Sequence, residues 1–259
     1  MKSPVTVLLA SALLAPLSAI SATPPGSAIV FVNGINNTFD DAVANLQIVK
    51  KQLNARDKNN AYVYGNAYNA TQGFFTDVKS VFKQKAKEGS SPADFWRAID
   101  GGSLPASGMN AELQKKYIAI LAKSDVPELP DHLRKYRGYL KDKRKVVLIG
   151  HSQGSLYANF EINLLVTGPD KAQGAISAVN VGSATGYQLP GSSYLTSSSD
   201  GVIGALRLVQ TVLPENFSMG WHPLSDVMGH SFSKIYMNKS YGAANQILKQ
   251  VSQQAYNGK

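Results

Sequence analysis

The residues best placed to do chemistry lie in one stretch, Lys145 to Phe160, with the sequence KVVLIGHSQGSLYANF. Val146 to Ile149 read as a short buried strand, and Leu156, Phe160, Leu164 and Leu165 give a helical stripe just after Gly154. Between them, Gly150-His151-Ser152-Gln153-Gly154 must turn abruptly. A serine at such a corner takes a strained backbone conformation that pushes its hydroxyl out above the sheet, with little room for a Cβ two residues to either side. Gly150 and Gly154 fill those two positions. The helix that follows aims its free N–H groups and the positive end of its dipole at charge developing near Ser152.

A serine hydroxyl is a poor nucleophile until a base takes its proton, and the base needs a carboxylate to fix its tautomer. The histidines are His132, His151, His222 and His230. His132 precedes the turn, and His151 adjoins the serine and is expected to point elsewhere. The strand, turn and helix around Ser152 resemble those of the α/β-hydrolases, in particular secreted bacterial enzymes of the lipase and esterase type, and the likeness extends from about Ser27 over most of the chain. It implies a nucleophile, acid, base order along the sequence. His222 and His230 are then the possible bases. His230 is preferred, in a loop that Gly229 loosens just before the last helical region, whereas His222 stands between Trp221 and Pro223 as a packed or surface residue. Of the acids between Ser152 and His230, Glu161 falls inside a helix, Asp170 follows a helix at the wrong end of the sheet, and Asp226 is too near His230. Asp200 follows a short strand and precedes a helix, where the fold places its acid; a helix N-cap is its other reading. The expected triad is Ser152, Asp200 and His230.

The resemblance also implies an oxyanion hole made of main-chain N–H groups. The loop after an early strand supplies one donor and the residue after the nucleophile the other, here Ile35 and Gln153. That loop usually begins His-Gly; here it begins Asn33-Gly34.

The elements that must hold these residues alternate along the chain. Strands are expected at 27–33 (SAIVFVN), 61–69 (AYVYGNAYN), 146–149, 175–185 and 194–196. Helices are expected after a cap at Thr38 or Asp40, at 74–87, 109–123 and 130–143, after Ser152, after Asp200, and at 241–256. Short aliphatic strands alternating with helices predict an α/β fold with a mostly parallel sheet covered on both faces. The segment from about 73 to 126 is longer than a strand-to-helix connection needs. In the α/β-hydrolases such an insertion often forms a lid, which makes Phe74 and Trp96 expected substrate-binding residues, and Tyr68, delivered to the same rim by the 61–69 strand, is a third.

The 259 residues suffice for one α/β domain, residues 23–259, behind a leader. Lys2, the apolar run from Val5 to Ile20 and the small residues at 18–22 have the order of a secretory signal peptide, expected at 1–22 with cleavage between 19 and 28. A secreted or periplasmic location is thus expected. There is no cysteine, which excludes disulfides, thiol chemistry, cysteine-ligated metals and lipid attachment through an N-terminal cysteine. The formal charge of +9 is densest at Arg134 to Lys145, on what reads as an outer helix face, with no zinc cluster or basic–aromatic stripe that would point to nucleic acid. No metal or cofactor is expected. The implied reaction is two-step acyl transfer on a carboxylic ester, a small molecule or a lipid, with peripheral contact at an anionic membrane surface. A thioesterase or peptidase using the same triad, and an inert binding protein on the same fold, are the alternatives.

Overall fold

The computed structural model describes residues 26–34, 37–59, 61–70, 128–208 and 211–256. The expected signal peptide, Ile35, and the expected insertion at 73–126 with Phe74 and Trp96 lie outside them. In chain order the described elements are β1 (Ala28–Val32), α1 (Phe39–Arg56), β2 (Val63–Ala67), α2 (Leu129–Lys141), β3 (Val146–His151), α3 (Gly154–Thr167), β4 (Ile176–Val181), β5 (Ser193–Leu195), α4 (Gly201–Leu206), and α5 (Ala243–Tyr256). A π-helical turn, Phe232–Tyr236, and a short 3₁₀ turn, Lys239–Tyr241, precede α5.

The five strands form one all-parallel sheet in the order β2-β1-β3-β4-β5. The side-chain period of two sorts each strand between two cores. Ala28, Val30 and Val32 of β1 join Val146 and Leu148 of β3 against α2 and α3. Ile29 and Phe31 join Val147 and Ile149 against α1 and α5. Both faces of β1 and β3 are buried, which is why these strands read as unbroken aliphatic runs. The chain is thus of the α/β class.

Register brings the functional ends together. Val32 lies beside both Ala67 and Gly150, and His151 lies beside Val181. The segments leaving β1, β2, β3 and β4 therefore emerge at one rim, the carboxyl edge where open α/β sheets place their sites.

Of the two caps considered for α1, Thr38 is the one used. Its hydroxyl accepts from Asp41 N–H at 3.1 Å, while Asp41 accepts from Thr38 N–H at 2.9 Å, a reciprocal capping box. The last helix starts two residues later than its apolar pattern suggests. Asn238 caps the 3₁₀ turn that contains Tyr241, and Gly242, with φ +82°, breaks the helical path before Ala243.

Candidate active site

Ser152 stands between β3 and α3 with φ +55°, in the left-handed region that costs a non-glycine residue on the order of 1–3 kcal/mol. Surrounding bonds fix this conformation. Ser152 N–H donates to the Val181 carbonyl at 3.1 Å. The Ser155 hydroxyl donates to the Ser152 carbonyl at 2.5 Å and accepts from Ala184 N–H at 3.0 Å. The flanking glycines are sterically required: a Cβ on Gly154 would stand 2.1 Å from the Val32 carbonyl oxygen, and one on Gly150 2.7 Å from Asn180 Oδ1.

The segment after β1 runs directly against the serine, because a Cβ on Gly34 would meet Ser152 Cβ at 2.8 Å. Asn33 ties this segment to the end of β2. Asn69 N–H donates to Asn33 Oδ1 at 2.8 Å, Asn69 Nδ2 to the Asn33 carbonyl at 2.9 Å, and Asn33 Nδ2 to the Asn69 carbonyl at 3.1 Å. Gln153 is buried at the N-cap position of α3, so its backbone N–H lies at the end of the helix where amides have no partner within the helix.

His230 and Asp200 are joined. His230 Nδ1–H donates to Asp200 Oδ2 at 2.8 Å, with Oδ1 at 3.0 Å. The Asp200 carboxylate is buried and takes two further bonds: Tyr236 O–H donates to Oδ2 at 2.7 Å, and Ile203 N–H donates to Oδ1 at 3.0 Å. Asp200 therefore also caps α4, so its two sequence readings hold together. Tyr236 is itself fixed, because its oxygen accepts from Ser197 N–H at 3.1 Å. Burial first, and then the adjacent Asp200 charge, push the Tyr236 phenol far above its ordinary value, so it acts as a donor at every working pH.

Asp226 supports the same turn from below. Its carboxylate accepts from the backbone N–H groups of His230 at 2.8 Å, Ser231 at 2.7 Å and Met228 at 3.1 Å. Burial would raise its carboxyl, but those three N–H groups and the His230 charge hold it below the usual range. His151 approaches from the other side. Its Nε2 lies 3.0 Å from the His230 carbonyl oxygen, and the two rings are 4.8 Å apart between centroids. The expectation that His151 points elsewhere holds for the serine but not for the base.

A cavity of about 470 Å³ joins these groups. Ser152 and His230 both line it, with Asn37 and Asn45 near the start of α1, Met228, and Lys234 on the π turn. Among the described residues no hydrogen bond joins Ser152 Oγ to His230. Tyr68 does not line the cavity. Its hydroxyl donates to the Asn37 carbonyl at 3.2 Å and its ring meets Phe39 edge-on at 5.5 Å, so it acts on the rim through Asn37. His222 is engaged elsewhere, stacked on Tyr241 at 3.7 Å with Nε2 2.7 Å from the Met219 carbonyl. Among the described residues no three His, Asp or Glu side chains gather as a metal-binding group.

Sequence reasoning did not find Tyr236 or the α1 wall of the cavity, and it set Asp226 aside as too near His230, where the structure has it holding the backbone of the His230 turn. The cavity's α1 side mixes Asn37, Asp41 and Asn45 with Ala44 and Ile48, with no motif to mark them, and Tyr236 carries no local motif either. Comparison of the chain with family models, with curated proteins and with solved structures gave no match. The functional reading therefore rests on the geometry.

Proposed function

We propose that this protein is a serine hydrolase of the α/β-hydrolase fold that cleaves carboxylic esters. One observation carries the reading: a serine held at φ +55° on a strand-to-helix corner shares a cavity with a histidine hydrogen-bonded to a buried aspartate. Lys143 and Lys171 also have positive φ, so the weight falls on the conjunction of the corner serine with the cavity and the His230–Asp200 pair, not on the strain alone. His230 Nε2 takes the proton of Ser152 Oγ as the oxygen attacks the acyl carbon. Gln153 N–H and Ile35 N–H hold the oxyanion. The alcohol then leaves with the proton from His230, and water repeats the sequence on the acyl-enzyme. Asp200 keeps Nδ1 protonated, so Nε2 is the nitrogen free for chemistry.

Trp221, Leu224, Val227 and Met228 are exposed large apolar side chains within eight residues of one another, and Met228 also lines the cavity. This favours esters with an apolar acyl chain or a lipid body. The basic Lys234 at the cavity and the charge of +9 suit an anionic surface. Export through a leader at 1–22 belongs to the same proposal.

The test is hydrolysis of p-nitrophenyl esters of short to long acyl chain by the mature protein and by Ser152→Ala. Turnover that falls by at least about 10⁴-fold in the variant supports the reading. Equal rates in both folded proteins would sink it.

A further inference from the structure

We propose that His151, the residue before the nucleophile, is a positioning residue for the base, holding His230 in place through its main-chain carbonyl. The proposal rests on the reading of His230 as the base and adds a member that the triad does not contain.

The geometry is specific. A carbonyl oxygen only accepts, so at 3.0 Å from the His230 carbonyl the His151 Nε2 must carry the hydrogen. The ring then has a lone pair on Nδ1, and that atom is buried without a partner. An orphaned buried nitrogen is unfavourable, and an apolar side chain at this position would avoid it. The imidazole here makes one hydrogen bond, to the main chain of His230. Its ring is also in contact with the surroundings of the base, 4.8 Å from the His230 ring and 5.3 Å from that of Phe232.

The protonation state suits the role. Burial first, then the neighbouring His230 charge, push the His151 ring down to about 3. It is therefore neutral at working pH and places no second positive charge beside the imidazolium that forms when His230 takes the serine proton. The groups around it are His230, Asp200, Phe232 and Tyr236. Together with Asp226 on the His230 N–H and Asp200 on its ring, His151 completes a hold on three separate atoms of the base.

The test compares His151→Phe, His151→Asn and His151→Gln. Phenylalanine keeps an aromatic ring without the donor, asparagine fits the space but is too short to reach the carbonyl, and glutamine brings an N–H to the reach of Nε2. Each is assayed for kcat and KM on the preferred p-nitrophenyl ester and for the rate at which a fluorophosphonate labels Ser152, which reads base activation without reference to the natural substrate. The melting temperature is measured alongside. Expected are a kcat and labelling rate reduced about tenfold in the Phe and Asn variants, KM within about twofold of the parent, and recovery of most of the rate with Gln. Full activity in Phe or Asn overturns the proposal, and so does an equal loss in all three that follows the melting temperature, because that is a packing effect. A parent protein that neither labels nor turns over any ester overturns the reading of the site itself.

Discussion

Two histidine–carboxylate–tyrosine groups stand on opposite faces of the sheet, and bond by bond they nearly match. In one, His230 donates to Asp200 at 2.8 Å and Tyr236 donates to the same carboxylate at 2.7 Å. In the other, His132 of α2 donates to Glu161 of α3 at 2.6 Å and Tyr136 donates to the same carboxylate at 2.8 Å. The difference lies in the second ring nitrogen. His132 Nε2 donates to the Tyr68 carbonyl at 3.1 Å, and the ring is 3% exposed. With both nitrogens donating, His132 has nothing left with which to take a proton. His230 has one nitrogen committed and sits at the cavity that holds Ser152. A buried histidine–carboxylate pair is therefore no mark of catalysis. What sets the proposed site apart is that His230 keeps its second ring nitrogen at a cavity that Ser152 also lines.

This contrast is most open to breakage at the two carboxylates. Asp200→Asn should leave the fold standing and lower kcat/KM by about 10⁴-fold, because the amide presents the wrong partner to Nδ1. Glu161→Gln should do the reverse. Removing one member of a buried charged pair costs about 3 kcal/mol of stability, while turnover per folded molecule stays within a few-fold. Ester kinetics beside urea denaturation separates the two effects. If Glu161→Gln loses activity while keeping its stability, the division of labour between the groups is wrong.

The tyrosines give a finer version of the same test. Tyr236→Phe removes a donor from the carboxylate that orients the base, and kcat should fall about tenfold, the worth of one charge-assisted bond. Tyr136→Phe should leave kcat unchanged and lower stability by about 1–2 kcal/mol. Two phenylalanine variants with indistinguishable kinetics would remove Tyr236 from the functional site.

Much of this division could be read from the chain, for identifiable reasons. β1 and β3 are buried on both faces, so each carries an aliphatic run, one ending before Asn33 and the other at Gly150. The glycines around Ser152 answer to close contacts with β1 and β4, which makes them visible as a pattern. Asp200 was legible because one carboxylate does two jobs, the cap and the partner of the base. Tyr236 was not, since it reaches Asp200 across 36 residues from a π turn that has no sequence signature. The direction of His151 was missed for a related reason. A strand end tells which face a side chain leaves from, but not that the His230 turn folds back over it. The pairing of His132 with Glu161 was equally hidden, because it depends on how α2 lies across α3.

The two buried histidines that serve no proton transfer should leave opposite marks on stability against pH. His151 stays neutral in the fold down to about 3, whereas in the unfolded chain it takes a proton below its ordinary 6.5. Between those values the unfolded state binds more protons, so stability rises with pH. His132 behaves in the opposite sense. Burial alone would favour its neutral form and Lys135 opposes the charge, but the Glu161 charge, the bond to Glu161 and the Tyr68 carbonyl outweigh them and raise it above 6.5. Its contribution is fully present below 6.5 and is lost as pH rises through the raised folded value. Together they predict a stability maximum near pH 6.5, with an alkaline decline that belongs to His132. The acid side is shared, because Asp170 and Asp226 are also held low, so the alkaline arm is the cleaner one to read. His132→Gln should be less stable overall yet show a flatter melting temperature between about pH 6.5 and 9, while His151→Gln should keep the decline. An unchanged alkaline slope in His132→Gln would mean that His132 is neutral in the fold, and the account of a ring donating through both nitrogens would fail with it.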